Sequence, residues 1–161
     1  GPYGQFFVRS SQPGDLIFIA GGSGLSSPQS MILDLLERND GRQITLFQGA
    51  RNVPELYNRD LFETLARDHD NFTYIPALND ADNDPDWKGF KGFVHEAAKE
   101  HYESRFAGNK AYLCGPPPMI DAAITALMQG RLFERDIFME KFLTAADGAE
   151  DAQRSALFKK I

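Results

Sequence analysis

The sequence predicts an α/β fold, a doubly wound five-stranded parallel sheet flanked by helices. Short apolar runs alternate with segments whose apolar residues fall at helical spacing, in the order βαβαβαβαβ. The first apolar run, 16–20, is unbroken, which is typical of a strand buried on both faces of a parallel sheet. Alternation of this kind requires right-handed crossovers, and ligands then bind beyond the carboxyl ends of the strands.

The elements follow one another with little chain between them. After the strand at 16–20, four further strands are predicted at 44–47, 72–77, 111–114 and 137–139. The first helix covers 28–38, where Met31, Ile32, Leu35 and Leu36 share one face. The other three helices are marked by apolar residues at helical spacing: Leu56, Tyr57, Leu61, Phe62 and Leu65; Phe93, Val94, Ala97, Ala98 and His101; Met119, Ile120, Ala123, Ile124, Leu127 and Met128.

Length and composition limit the class of protein. A chain of 161 residues fits one domain with a sizeable core. The net charge of −6 argues against a nucleic-acid partner, and every apolar run is far shorter than the ~20 residues that cross a bilayer. A single cysteine, Cys114, cannot form an internal disulfide and fits the reducing cytoplasm. We therefore expect a cytoplasmic protein that contacts neither nucleic acid nor membrane.

A glycine-rich turn between the first strand and the first helix is the strongest functional signal. Glycines turn the backbone tightly and leave its amides open to a ligand, and a helix start offers free N–H groups to a phosphate. We expect the backbone of this turn to hold the pyrophosphate of a dinucleotide, although glycine turns also occur for steric reasons alone. The expected contacts are Gly22, Ser23, Gly24, Leu25 and Ser26.

The end of the second strand is where the ribose of an adenosine would lie. An acidic residue there would bind the 2′-hydroxyl and favour NADH, whereas Arg51 can accommodate the 2′-phosphate of NADPH. Gln48 stands in place of an acid and leaves the question open. The sequence favours a structural ion pair for Arg51 over a phosphate contact, and therefore NADH with tolerance of NADPH.

Three histidines and two polar segments carry weaker signals. His69, His95 and His101 lack metal-ligand spacing, so no metal is assigned. The aspartates of 79–88 imitate a calcium loop but lack its glycine and glutamate, which favours a solvated loop. The composition of 144–161 is typical of a segment that straps the domain or of a disordered chain.

Two motifs about 90 residues apart carry a family resemblance. Ala20-Gly21-Gly22-Ser23-Gly24-Leu25 and Cys114-Gly115-Pro116-Pro117-Pro118-Met119 together resemble the nucleotide-binding domain of the ferredoxin–NADP reductase superfamily. The motifs Gln48-Gly49-Ala50-Arg51 and Met139-Glu140-Lys141-Phe142 are also typical of it. The resemblance divides the chain into 1–10, the end of an FAD-binding barrel or a linker; 11–142, the NAD(P)H-binding domain; and 143–161, a C-terminal tail.

A closer resemblance is to the reductase components of bacterial multicomponent phenol hydroxylases. It is carried by Phe47-Gln48-Gly49-Ala50-Arg51, by Met31-Ile32-Leu33-Asp34-Leu35-Leu36 and by the last seven residues, 155–161. Such reductases pass electrons from NAD(P)H to FAD, to a [2Fe–2S] cluster and on to a di-iron oxygenase. The implied partners are FAD-binding and ferredoxin domains of the same polypeptide and an oxygenase component. A plant-type cluster needs four cysteines and this chain has one, so it corresponds to a single domain of such a reductase.

The resemblance also implies roles for residues at the later strand ends. Cys114 and Glu140 would lie on the catalytic side, near the nicotinamide and the flavin. Further cofactor contacts implied at strand ends are Gly49, Gly115, Pro116, Met119 and Phe142. Each has a plain alternative as packing: an inert buried cysteine, a core methionine, an ordinary strand end. A self-contained NAD-dependent dehydrogenase and a non-enzymatic dinucleotide-sensing module remain as alternative functions.

Overall fold

Six parallel strands and four α-helices make up the computed structural model, which describes residues 14–22 and 24–141. The strands are β1 Leu16–Gly21, β2 Ile44–Ala50, β3 Phe72–Leu78, β4 Phe90–Lys91, β5 Lys110–Gly115 and β6 Ile137–Lys141. The helices are α1 Ser26–Glu37, α2 Arg59–Asp68, α3 Val94–Tyr102 and α4 Pro117–Gln129. Single 3₁₀ turns lie at Val53–Glu55, Ala81–Asn83 and Glu134–Asp136.

The strand order β4-β3-β2-β1-β5-β6 confirms the doubly wound parallel sheet. From β1 the chain adds strands in one direction as far as β4, then returns to place β5 on the other side of β1. The carboxyl ends of β1 and β5 therefore flank the point where the winding reverses, which is where such sheets bind ligands. The predicted count of five strands was one short, because β4 has only two residues and forms no apolar run.

The core has one apolar layer on each face of the sheet. In β1, Phe18 faces α1 and α2, whereas Ile17 and Ile19 face α3 and α4, as expected for alternating side chains. Helix residues that complete the α1/α2 layer are Met31, Ile32, Leu35, Leu36 and Phe62. Those that complete the α3/α4 layer are Val94, Ala97, Ala98, Ile120, Ala123 and Leu127. Most residues of the predicted apolar faces pack in these layers, but Tyr57, Phe93 and His101 are exposed.

The second helix begins later than its apolar spacing predicted. Asn58 has φ +58°, a left-handed conformation that breaks the helix before Arg59. Leu56 instead packs with Leu78 and Trp87 in a small third cluster. The segment 79–88 is thus solvated at its aspartates but anchored by a buried tryptophan, whose indole N–H donates to the Phe90 carbonyl at 2.9 Å.

Several predictions fall outside the described residues. The expected end of a flavin barrel at 1–10, Ser23, Phe142 and the tail at 143–161 all lie there. Among the helices at 14–22 and 24–141, none is long and apolar enough to cross a membrane.

Candidate functional site

A cleft of about 560 Å³ opens at the carboxyl end of the sheet. It lies on the α3/α4 side, with its floor at the ends of β1 and β2 and its walls at the starts of α3 and α4. The residues that line it are Gly21, Gly22, Gly49, Ala50, Arg51, Glu55, Asn79, Phe93, Val94, His95, Pro116, Pro118, Met119 and Ala122. Five predicted contacts, Gly22, Gly49, Arg51, Pro116 and Met119, therefore share one cleft.

The glycine turn leads from this cleft to the start of α1. Gly22 has φ +61°, which glycine adopts without strain, and the Gly24 N–H donates to the Gly21 carbonyl at 3.1 Å. The buried Leu25 occupies the N-cap of α1 and brings no side-chain hydrogen bond to it. Because the first turn of α1 carries no acidic residue and Ser26 is exposed, its positive dipole end suits an anion.

Glycines at the ends of three adjacent strands let the helices approach the sheet closely. A Cβ on Gly21 would stand 2.6 Å from Met119 Sδ, and one on Gly115 would stand 2.8 Å from Met119 Cε. A Cβ on Gly49 would stand 2.9 Å from Val94 Cβ. Side chains at these positions would collide with the starts of α3 and α4. The glycines therefore keep the floor of the cleft flat.

The start of α4 differs chemically from the start of α1. Pro116 is its N-cap, and Pro117 and Pro118 are its first two residues. None of the three has a backbone N–H, so this helix end offers few donors to a phosphate. The rings of Pro116 and Pro118 and the thioether of Met119 instead form an apolar wall. Such a wall suits a flat ring rather than an anion.

Arg51 forms an ion pair at the end of β2. Its Nη2 lies 2.7 Å from Glu55 Oε1, and its Nε lies 2.9 Å from the same oxygen. Glu55 raises the pKa of Arg51, and Arg51 lowers the pKa of Glu55. Gln48 is buried and donates to the Tyr57 carbonyl at 3.0 Å while accepting from the Tyr74 hydroxyl. An acid therefore does stand beside Arg51, at position 55 rather than 48.

Cys114 and Glu140 lie on the other face of the sheet. The Cys114 side chain belongs to the α1/α2 layer and is fully buried. Its thiol donates to Glu140 Oε2 at 3.6 Å, and the Tyr112 hydroxyl donates to the same oxygen at 3.0 Å. Burial, with Glu140 beside it, raises the pKa of Cys114 to about 12. These two residues reach the same end of the sheet as the cleft, but they do not line it.

Sequence reasoning missed part of the cleft. The lining residues that were not predicted as cofactor contacts are Gly21, Ala50, Glu55, Asn79, Phe93, Val94, His95, Pro118 and Ala122. Phe93 is 56% exposed and its ring stacks on His95 with centroids 6.0 Å apart. It follows β4, so recognition of that short strand would have drawn attention to it. Glu55 lies four residues after Arg51, a spacing that could have suggested the ion pair.

Sequence comparisons identify the family of the chain. The family model for the oxidoreductase NAD-binding domain matches residues 18–125. The chain is 78% identical over its whole length to the reductase component DmpP of phenol 2-monooxygenase from Pseudomonas sp. (strain CF600). It is 67% identical over its whole length to the phenol hydroxylase P5 protein of Acinetobacter pittii (strain PHEA-2). In both cases it spans 46% of the relative, so it matches about half the length of these proteins.

Solved structures share the fold. The Amycolatopsis cytochrome P450 reductase GcoB superposes with a TM-score of 0.74 at 32% identity, over 82% of this chain and 38% of its own. The cytochrome b5 reductase domain of Ulva prolifera nitrate reductase gives 0.64 at 27% identity, over 80% of this chain and 48% of its own. With the family match covering the glycine turn and the proline-rich helix start, the chain belongs to the oxidoreductase NAD-binding domain family.

Proposed function

We propose that this chain is the NADH-binding domain of a reductase that passes electrons through FAD and a [2Fe–2S] cluster to a di-iron phenol hydroxylase. The observation that carries the proposal is the cleft at the point where the winding of the sheet reverses. At the end of β1 the cleft leads to a helix start suited to an anion, and at the end of β5 it is bounded by a proline-lined helix start suited to a ring. The names of the two phenol hydroxylase relatives supply the chemical setting.

The residues present fit an extended dinucleotide. The backbone of Gly22, Ser23, Gly24, Leu25 and Ser26 would hold the pyrophosphate at the start of α1. When bound, the nicotinamide supplies a hydride, which carries two electrons to a flavin and leaves NAD⁺. The protein contributes distance and orientation to that step.

Two further groups of residues would hold the ends of the dinucleotide. Gly49 and Arg51 would flank the adenosine half at the end of β2. Gly115, Pro116 and Met119 would flank the nicotinamide half at the end of β5, where Met119 occupies the space that a side chain on Gly115 would need. Phe142 would add apolar cover after β6.

Cys114 and Glu140 would act at the ends of β5 and β6, beside the nicotinamide but from the other face of the sheet than the cleft. With its pKa raised to about 12, the Cys114 thiol keeps its proton at neutral pH and serves as a hydrogen-bond donor, not as a nucleophile. Glu140 accepts that bond and offers a carboxylate at the end of β6. Hydride transfer needs no nucleophile, so a protonated thiol is consistent with the proposed role.

The cleft favours NADH over NADPH. Glu55 stands at the ribose end, where a carboxylate binds a 2′-hydroxyl and repels a 2′-phosphate. Arg51 is already engaged by Glu55, and the nearby Asp80 adds a second negative charge beside it. A phosphate approaching Arg51 would have to displace one carboxylate and approach another.

The remaining parts of the parent protein are inferred from its relatives. Because those relatives are about twice as long as the chain, FAD-binding and ferredoxin domains would occupy the rest of the polypeptide. Within this chain, 1–10 would belong to the flavin barrel or a linker, 11–142 to the nucleotide domain and 143–161 to a tail. The oxygenase component would select the aromatic substrate, and the parent would work in the cytoplasm.

The test compares the chain with the longer parent reductase. NADH is mixed anaerobically with each protein in the presence of ferricyanide. We expect rapid reduction with the FAD-loaded parent, none with this chain alone, and phenol hydroxylation once the oxygenase and oxygen are added. Parent protein that binds NADH without reducing any acceptor would instead support a sensing module. Oxidation of NADH by this chain with a small aldehyde would support a self-contained dehydrogenase.

A further inference from the structure

Tyr112 carries a hydroxyl into an apolar layer of the core. It lies on β5 with a side chain that is 0% exposed, and its ring is tilted by 51° against Phe18 with centroids 6.2 Å apart. Phenylalanine would fill the same space without placing a polar group in the core. A buried hydroxyl costs free energy unless it is hydrogen-bonded. The hydroxyl of Tyr112 therefore calls for an explanation beyond core filling.

One oxygen of Glu140 receives two buried donors. The Tyr112 hydroxyl lies 3.0 Å from Glu140 Oε2, and the Cys114 thiol lies 3.6 Å from it. Tyr112 and Cys114 are two residues apart on β5, so their side chains share a face, and Cys114 is the register partner of Glu140 on β6. Within the described residues, no donor is paired with the other oxygen, Oε1.

We infer that Tyr112 is a positioning residue, whose hydroxyl holds the Glu140 carboxylate against Cys114 and leaves Oε1 for a donor on the bound cofactor. Glutamate has three side-chain torsions, and one weak thiol bond would not fix them. The tyrosine bond is shorter than the thiol bond and comes from a fully buried side chain. The functional part of this inference depends on the proposed function, since only there does Glu140 meet a nicotinamide.

The test measures the S–H stretching frequency of Cys114 by infrared spectroscopy in the nucleotide-free chain. Cys114 is the single cysteine of the sequence, so its S–H stretching band is unambiguous. Hydrogen bonding to a carboxylate lowers the frequency of that band. We expect Glu140→Ala to shift it upward, and Tyr112→Phe to shift it upward by a similar amount, because the released carboxylate turns away from the thiol.

Tyr102→Phe is the matched control. In the wild-type chain, the Tyr102 hydroxyl also donates to a carboxylate oxygen, Asp15 Oδ2 at 2.9 Å. This bond lies near the start of β1, at the opposite end of the sheet. This variant should lose a comparable hydrogen bond and leave the S–H band unmoved. A band that stays in place in Tyr112→Phe overturns the inference. So does a band that moves lower, since Tyr112 would then compete with Cys114 for Glu140.

A second measurement covers the case in which Tyr112→Phe does not fold. Tyrosine labelled with ¹³C at Cζ should show a shifted Tyr112 signal in Glu140→Ala, and an unmoved signal would contradict the hydrogen bond. Neither spectrum requires nucleotide. Failure of the wild-type chain to bind NADH would therefore count against the proposed function while leaving the Tyr112 result interpretable.

Discussion

The sulfur of Met119 lies 2.6 Å from the position that a Cβ atom on Gly21 would occupy. The start of α4 thus rests directly on the end of β1, with the methionine in the space that glycine leaves. A thioether has rotatable bonds and can move, whereas the backbone beneath it cannot. Substitution of Gly21 should therefore push Met119 into the cleft rather than unfold the sheet.

Gly21→Ala should weaken NADH binding with little loss of stability. We expect the dissociation constant to rise about tenfold, equivalent to ~1.4 kcal/mol, because the displaced thioether narrows the cleft. Calorimetric titration and thermal unfolding measure the two effects separately. Adding Met119→Ala should restore part of the affinity. Unchanged affinity in Gly21→Ala would show that the nucleotide does not occupy this part of the cleft.

Gly49→Ala should lower the stability of the fold rather than weaken NADH binding. A Cβ there would stand 2.9 Å from Val94 Cβ, which is bonded directly to the backbone of α3 and cannot rotate away. We expect a loss of about 1–3 kcal/mol in the free energy of unfolding, measured with urea. Gly41→Ala is the control, because nothing lies within 4 Å of a Cβ at that exposed position. Equal stability of the two variants would contradict the tight packing at β2.

Glu55→Gln should relax the preference for NADH. The substitution removes the charge that repels a 2′-phosphate and releases Arg51 to bind one. We expect the ratio of NADH to NADPH affinity to fall about tenfold, a change of ~1.4 kcal/mol. Glu63→Gln breaks a similar pair, Arg59 Nε to Glu63 Oε1 at 2.8 Å, on α2 outside the cleft, and should leave the ratio unchanged. An unaltered ratio in Glu55→Gln would remove Glu55 from the ribose site.

Acid stability should depend on the pair of Asp40 and Arg42. Their side chains are 5% and 10% exposed, and the bond to Arg42 holds the pKa of Asp40 below its ordinary 3.8. Because the folded state binds this proton less readily, the stabilisation is complete above pH 5 and is lost as pH falls through the lowered pKa.

The matching measurement is urea unfolding of Arg42→Gln at several pH values. We expect a loss of about 1–3 kcal/mol at pH 7, as for a buried group left without its partner, and a smaller loss below pH 3. Arg105→Gln removes an exposed ion pair with Glu103, and should change stability by less than about 0.5 kcal/mol at either pH. A pH-independent loss in Arg42→Gln would show that Asp40 does not titrate with a lowered pKa.

The parallel sheet could be predicted because its determinants are local. Each long strand contains a short, mostly apolar run, and each helix repeats its apolar residues on one face. Two features escaped prediction, the short strand β4 and the start of α2. Strand β4 exists because Phe90 and Lys91 meet Ala77 and Leu78, and α2 starts at Arg59 because Asn58 adopts a left-handed conformation.

Only the parts of the candidate site that depend on glycine and proline in the backbone could be predicted. The glycine turn and the proline-rich helix start are visible as motifs, so Gly22 and Pro116 could be named in advance. Which face of the sheet a strand-end side chain takes depends on register, and this separates Cys114 from the cleft. Phe93 and His95 were missed because they follow a strand of two residues.

In the proposed complex, one nucleotide spans the glycine turn and the proline-rich helix start. Titration of ¹⁵N-labelled chain with NADH, followed by amide NMR, tests this arrangement most directly. We expect shifts at Gly22 and Gly24 on one side and at Gly115 on the other, saturating together, with weaker binding of NADPH. Saturation with shifts confined elsewhere, or no shifts at millimolar NADH, would contradict this arrangement.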